Sequence, residues 1–538
     1  MTGSRRLPLS WGQRYMWLAH QRLAPDARHE LNIVARYEPP AGATVRTLRL
    51  ALNHLVRRHQ GLRTTFHPDG PHQQVHPPRP LAIDCVDLAD RSPGEVNRLV
   101  TAFNRRAFDL ESEPPIRALL VTDGSVPTAL NVVLHHVAVD DWSMQRLHAD
   151  LDRVHADVLA ERPVTLPARP QPADAVAVEQ EPGLGDAALT WWRQEAATAP
   201  TDPFGRHRTP PAPELPVAVS ASLSSPAAQQ AARQLSERYG TWPSMVYLAA
   251  FVAVLHRYSG LDRVPVQVYG ANRDDEWQRE LLAPSFLPVP MTVDCSGEPT
   301  LATLVEQVVA GSEAALAHSH YPYDRALEIL AEEESRRGRP VGPPASFNYL
   351  NHPTRQAGVR RTVLRRNAVP EGWSGLGEDA YFRLYEWRDC AVAVLNAQGT
   401  VMTADAAQWF LRGFETVLVG PAGTDPQRRP VDLVGPWPGG TAAGAAPLAW
   451  PAPVRSDGSD AARDALVAAV RAANDLDTVD PGHGYVAAGG RILRVPHLLD
   501  LLARAGWSGV GVAALTGGAP LAEIAGRLVP QPAPADPR

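Results

Sequence analysis

Apolar residues along the first part of the chain follow two different periods. Val45, Leu48, Leu52, Leu55 and Val56 fall on one face of a helix running to Arg58. Met144, Leu147, Leu151, Val154 and Val158 repeat that spacing over 143–160, and Ser143 stands just before it, where an N-cap belongs. Between them, Leu130 to Leu134 is short, apolar and rich in β-formers, which predicts a buried strand. Pro and Ala dominate 161–185, which predicts a crossover linker after a first unit of residues 1–180.

A second unit, 186–435, opens with a predicted helix around Trp191 and Trp192 and a Pro-rich gap at 200–216. SMVYLAAFVAVLHRYSG is apolar on every face, the pattern of a buried helix, with Gly260 at its C-terminal end. VPVQVYG predicts a strand leading into Asn272 and Arg273, and 300–333 predicts a long helix broken near Pro322. Two halves of similar size, each alternating β and α, predict an α/β (α+β) pair of lobes. Gly, Pro and Ala mark 436–457 as a linker. Beyond it, 458–530 carries mainly helical signals at 459–473, 491–505 and 520–528, and the closing PQPAPADPR predicts disorder.

Composition narrows the function classes. The 538 residues suggest three units, and 44% hydrophobic with 20% charged residues fits a soluble globular protein. No apolar run approaches the roughly 20 residues of a membrane span. The N-terminus lacks the apolar core of a signal peptide, so a cytoplasmic location is expected, with no membrane partner. Cys85, Cys295 and Cys390 are too scattered for a disulfide framework or a C-x-x-C metal site. A net charge of −6 argues against a nucleic-acid partner. All 52 Lys+Arg positions are Arg, which excludes a Schiff-base lysine, a pyridoxal phosphate site and a Walker A loop.

The stretch with candidate chemistry is NVVLHHVAVDDWSMQRL, residues 131–147. Adjacent strand residues point to opposite faces, so His135 and His136 look in different directions. That weighs against one metal shared with Asp140 or Asp141, and no metal is expected. A capping Ser143 has its hydroxyl occupied by backbone amides, which weighs against a Ser-His-Asp triad. One histidine can face a cavity while its neighbour anchors the loop and Asp140 holds the turn through an arginine or backbone amides. Such a frame orients an imidazole for proton transfer. A strand end without chemistry is the other reading, and the residues alone leave both open.

The pattern His135-His136-x-x-x-Asp140, followed by Trp142-Ser143-Met144, resembles the active-site motif of the condensation domains of nonribosomal peptide synthetases. Other segments resemble that family in its own order. They are LPLSWGQRYMWLAHQ with Leu9, Ser10, Gln13 and Trp17, RRHQGLRTTF from Arg57, AFDLESEPPIRALLV from Ala107, HRYSG with VYGANR, and SHYPYDRAL from Ser319. Together they cover about residues 7–435. The resemblance implies two chloramphenicol-acetyltransferase-like lobes in a V around a tunnel. A carrier protein acting in trans would bring the acyl donor on its phosphopantetheine arm, and a small-molecule or carrier-bound amine or alcohol would enter from the other side. It implies no cofactor held by this chain, His136 as the catalytic residue, His135 and Asp140 as mainly structural, and Arg63 or Arg273 as the ion-pair partner of Asp140.

The chain departs from the family pattern in three places. Asp141 stands where the family has Gly. A glycine there serves a positive-φ turn or leaves room, and Asp is among the few residues that tolerate the left-handed region. Asp141 also adds a carboxylate beside the tunnel, so Asp141, Trp142 and Ser143 are candidates for substrate selection. APSFLPVPMTVD lacks the family's Asn and Arg around its Leu-Pro, which bears on the loop bridging the lobes. GYVAAGGRILRVPHLLDLLARAG is similar to the core of a peptidyl carrier protein, with Ile492 in the place of the serine that carries phosphopantetheine. The resemblance thus implies a degenerate carrier-like tail and an acyltransferase-type condensation enzyme of natural-product biosynthesis, forming an amide or ester. A recruitment platform for a carrier or tailoring enzyme, and an epimerase of the same superfamily, are the alternatives.

Overall fold

The architecture comes from a computed structural model, which describes residues 4–89, 91–200, 202–422, 427–439, 448–450 and 459–531. The first half contributes β1 (Arg5–Pro8), β2 (Asn32–Tyr37), β3 (Thr64–His67), β4 (His72–Val75), β5 (Ile83–Asp87), β6 (Ile116–Asp123) and β7 (Val126–His135). They form a small sheet, β1-β4-β3, and a larger one, β2-β7-β6-β5. Strand β7 is buried without a break from Ala129 to His135, as its apolar run predicts. Two helices, Val45–Arg58 and Asp141–Leu159, pack on the larger sheet through the apolar stripes read from their spacing. Leu48, Leu52, Leu55, Leu147, Leu151 and Val154 are fully enclosed, while Val45, Met144 and Val158 close the margin of that core.

The segment 161–185 is not structureless throughout. Pro172–Glu179 forms a helix, with Pro172 in its first turn and Gln171 and Asp174 bonding reciprocally across its start. Its Ala175 packs on Leu281 and Ala283 of the second half. Those apolar contacts let a short helix form in a stretch whose composition suggests only a linker.

The second half contributes β8 (Ala218–Ser225), β9 (Arg263–Gly270), β10 (Leu287–Asp294), β11 (Ala345–His352), β12 (Val363–Asn367), β13 (Ala380–Trp387) and β14 (Ala391–Gln398). Their order is β10-β9-β11-β13-β14-β8-β12, with β11 parallel to β9 and β13. The helix Pro243–Ser259 is apolar on all sides because it is enclosed on all sides, by the sheet and by the helices Pro226–Tyr239, Leu301–Leu316 and Ala404–Ala422. Gly260 ends it in the left-handed conformation, at φ 72°. The predicted long helix is two, Leu301–Leu316 and Tyr323–Arg337, with Pro322 capping the second.

The halves meet along the helix Trp11–Arg22. Arg14 pairs with Asp324 at 3.0 Å, and the Tyr15 and Tyr323 rings meet edge to face at 4.6 Å. Gly12 lies so close to the second half that a Cβ there would stand 2.1 Å from the Pro284 carbonyl oxygen. Only glycine allows that approach.

The tail has its own core, built from Leu466, Val470, Tyr485, Leu498, Leu515 and Ile524. Its helices include Ser459–Asn474, Val495–Arg504 and Leu521–Ala525, close to the predicted segments. It docks on the helix Tyr323–Arg337. Glu328 accepts from Arg491 Nε at 2.9 Å and from the Ile492 amide at 3.2 Å, while Glu334 accepts from the Gly518 amide at 2.7 Å. Most of the predicted 436–457 linker and of PQPAPADPR lies outside the described residues. No helix among the described residues is long and apolar enough to cross a membrane.

Candidate active site

The larger sheet of the first half delivers the histidines. Strand β7 ends at His135, paired with Asn32 of β2, and the His136 amide donates to the Leu31 carbonyl at 2.9 Å. The two rings then enter different surroundings. His135 is fully buried, and its Nδ1 accepts from the Val137 amide at 3.0 Å. That leaves the ring proton on Nε2, which donates to His20 Nδ1 at 3.1 Å. Burial pushes both rings toward the neutral form, His135 well below the ordinary histidine value and His20 down to about 3.

His136 is half-buried and lines a cavity of about 1190 Å³ that takes residues from both halves. Its Nδ1–H donates to the Val139 carbonyl at 2.8 Å, which fixes the tautomer and puts the lone pair on Nε2. Burial lowers its pKa, against the opposing pull of the Asp140 carboxylate. The ring sits 5.2 Å from that of Phe286. A neutral imidazole with one nitrogen anchored and the other carrying a lone pair can accept a proton from a nucleophile in the cavity.

Asp140 is the N-cap of the helix Asp141–Leu159, and Ser143 is not. Asp140 Oδ1 accepts from the Ser143 amide at 2.8 Å and from its hydroxyl at 2.6 Å. The helix starts three residues earlier than predicted, so Asp140 is the cap and Ser143 is the third helical residue, whose amide and hydroxyl the carboxylate engages. Ser143 is thereby enclosed in the turn and is not among the residues that line the cavity.

Of the two arginines considered for Asp140, the structure brings Arg273. Its Nη2 stands 3.0 and 2.8 Å from the two carboxylate oxygens, with both side chains almost wholly buried. Asn272, at φ 51°, turns the chain into Arg273 and bonds the Ser285 and Ser319 carbonyls. Arg63 does not reach Asp140. It donates to the His76 carbonyl within the first half. The bridging loop also survives its altered sequence, because the contact it makes with Asp140 Oδ2 comes from the Ser285 backbone amide at 3.1 Å. Any residue other than proline supplies that donor.

Asp141 is the first residue of its helix and is not in the left-handed region. No glycine is required there on backbone grounds, and an acidic residue suits a helix N-terminus. Its half-exposed carboxylate lines the cavity and lies 3.8 Å from His352 Nε2 of the second half. Trp142 also lines the cavity, and its indole N–H donates to the Arg279 carbonyl at 3.0 Å. Ile492 is not among the residues that line the cavity. It is fully buried and packs into the core of the second half. Among the described residues no group of three or more His, Cys, Asp or Glu is arranged to hold a metal.

Several cavity residues carry no sequence signal. Phe286, His352 and Glu378 are distant in the chain from His136 and meet it only through the fold. Burial pushes the Glu378 carboxyl up to about 7, while the Ser346 and Tyr269 hydroxyls donate to it at 3.0 and 3.2 Å. Arg383 could have been found, because YFRLYEW alternates and puts Tyr381, Arg383 and Tyr385 on one strand face.

The condensation-domain profile matches residues 4–365. Chondramide synthase cmdD of Chondromyces crocatus is 28% identical over 350 residues, 63% of this chain and 9% of that protein. Isonitrile lipopeptide synthase of Mycobacterium tuberculosis is 30% identical over 356 residues, 62% of this chain and 14% of that protein. The chain therefore spans only a small part of these relatives. Among solved structures, the X-domain bound to OxyB from teicoplanin biosynthesis matches with a TM-score of 0.63 at 23% identity, covering 80% of this chain and 96% of that one. The first condensation domain of the calcium-dependent antibiotic synthetase matches with a TM-score of 0.60 at 19% identity, covering 80% and 98%. The two α/β halves thus have the lobes of the chloramphenicol-acetyltransferase-like fold, and with the profile matched over most of its length the chain belongs to the condensation-domain family.

Proposed function

We propose that this chain is a condensation enzyme that joins a carrier-bound acyl or aminoacyl thioester to an amine or hydroxyl acceptor. The carrier protein acts in trans and threads its phosphopantetheine arm into the cavity. His136 Nε2 orients the acceptor and accepts its proton as nitrogen or oxygen attacks the thioester carbonyl. The new C–N or C–O bond forms, the C–S bond breaks, and the proton passes to the departing thiolate. The observation that supports this most is the fixed tautomer of His136, which leaves a lone pair on Nε2 of a ring lining a cavity shared by both halves. His135, Asp140 and Arg273 act as positioning residues for the turn that holds it.

Asp141 is read as a selector that meets a cationic acceptor group or narrows the passage. Asp141→Gly should therefore change acceptor preference, and unchanged preference and rate would refute that role. The tail is read as a carrier-like domain that has lost its loading site, since Ile492 has no nucleophilic atom and is enclosed against the second half. Treatment with a phosphopantetheinyl transferase and coenzyme A should leave its mass unchanged, and a gain on the tail contradicts the reading.

The function is tested by supplying an acyl-loaded carrier and a panel of amines and alcohols to the wild type and to His136→Ala. Coupled product from the wild type and none from the variant supports condensation. Carrier binding without turnover points instead to recruitment, and inversion of the acyl stereocentre without coupling points to epimerisation.

A further inference from the structure

Strand β13 reads AYFRLYEW, and its alternation divides two environments. Phe382 and Leu384 are fully buried in the core of the second half, while Tyr381, Arg383 and Tyr385 line the cavity that holds His136. Arg383 donates from Nη2 to the Tyr381 hydroxyl at 3.3 Å and from Nη1 to the Tyr385 hydroxyl at 3.2 Å. Its guanidinium stands 5.0 Å from the Tyr381 ring centre. Asn348, opposite on β11, also donates to the Tyr381 oxygen, at 2.8 Å. Each contact presents a donor to a phenol oxygen. Having accepted, each phenol keeps its own O–H to donate. The Nε–H of Arg383 is buried and meets no acceptor.

The cluster therefore holds donors and a permanent cation, with no anion to match. Among the described residues no carboxylate lies within ion-pair distance of Arg383. Of the acids of the cavity wall, Asp140 is paired with Arg273, and Glu378, which feels the charge of Arg383 through space, takes its hydrogen bonds from Tyr269 and Ser346 and not from the guanidinium. Removing a guanidinium from water costs several kcal/mol unless a counter-charge replaces it, and phenol dipoles do not cancel a full charge. The planar fork of arginine fits a carboxylate in particular.

We propose that Arg383, with the hydroxyls of Tyr381 and Tyr385, binds a carboxylate of the substrate within the cavity that holds His136. The inference rests on the reading of that cavity as the condensation site. It specifies a substrate class, because a carrier-bound acceptor has its carboxyl engaged as a thioester. A carboxylate here belongs either to an acceptor that arrives free or to a carrier-bound donor or acceptor with a second carboxyl.

Binding is measured first, apart from turnover, by titrating phenylacetate and its neutral isostere phenylacetamide into the full chain and following ligand-observed NMR. The wild type should bind phenylacetate at least tenfold more tightly than phenylacetamide, and His136→Ala should keep that preference. Arg383→Gln should abolish it, and Arg383→Lys should retain part of it through the charge alone. Tyr381→Phe, which keeps the ring and the strand, should weaken it and serves if Arg383→Gln fails to fold. Equal binding of the two probes by the wild type, or a preference that survives Arg383→Gln, overturns the proposal. Turnover with matched acid and carboxamide pairs, varied first in the acceptor and then in the donor, identifies the source by which pair shows the preference. Absent turnover with the binding preference intact refutes condensation and leaves the anion site standing.

Discussion

At the residue scale the histidine turn depends on one pair of charges that has been taken out of water in balance. Asp140 and Arg273 form a buried ion pair that also caps a helix and ties the bridging loop to the histidine turn. Removing one member leaves the other uncompensated, so Asp140→Ala should lower stability by about 3–5 kcal/mol, read from denaturant unfolding. Asp140→Asn keeps a capping oxygen and should cost less. The histidines carry a pH signature. His136 is held below the ordinary value, so its base form persists at lower pH than that of a free histidine. The acid limb of kcat/KM should therefore lie below pH 6.5, and a limb at or above that value contradicts the burial argument. His20 and His135 bind protons in the unfolded chain at ordinary histidine values but resist them in the fold. Below about pH 6.5 the unfolded state binds more protons than the folded one, so stability falls as pH drops through that range toward the folded value, about 3 for His20. A stability flat between pH 6.5 and 4.5 would show that these rings are not buried neutral.

At the element scale the sequence was informative where periodicity was strong and silent where contact was distant. The helix stripes at 45–58 and 143–160, the apolar helix ending at Gly260 and the break at Pro322 were all legible, because each is a local pattern with a local physical cause. The capping residue is not legible from spacing, because Ser and Asp are equally good caps and the apolar stripe does not show whether the helix starts after Asp140 or after Ser143. The choice between Arg63 and Arg273 is not legible, since it depends on Asn272 turning the chain so that Arg273, 133 residues from Asp140, reaches it. The bonding of His135 to His20 spans 115 residues and has no local signature. The seam between the halves also depends on one close approach. Gly12→Ala would place a methyl against the Pro284 carbonyl. It should destabilise the protein by about 1–3 kcal/mol and loosen the hydrogen-exchange protection of 281–286, whereas an equal effect on all segments would argue against a local seam.

At the scale of the whole molecule, two lobes share one cavity and the tail is fastened beside it. Ala513, Thr516 and Gly517 of the tail line the same cavity as His136, so the tail forms part of its wall. Glu328 is one of its polar anchors, accepting from Arg491 and from the Ile492 amide. Glu328→Ala should raise amide exchange at Ile492 and neighbouring residues, while the tail's own core around Tyr485 and Leu498 keeps its protection. Loss of protection throughout the tail would mean instead that it folds only when docked.

The central claim is that His136, held in one tautomer at the wall of a shared cavity, couples a carrier-borne acyl group to an acceptor. Its most direct test is a single-turnover measurement of acyl loss from a loaded carrier, with and without acceptor, in the wild type and in His136→Ala. Acyl loss by the wild type should require acceptor, should match the product formed mole for mole, and should fall at least 100-fold in His136→Ala at unchanged thermal stability, in keeping with the contribution of a positioned general base. Equal rates in the two proteins, or acyl loss without coupled product, would contradict it.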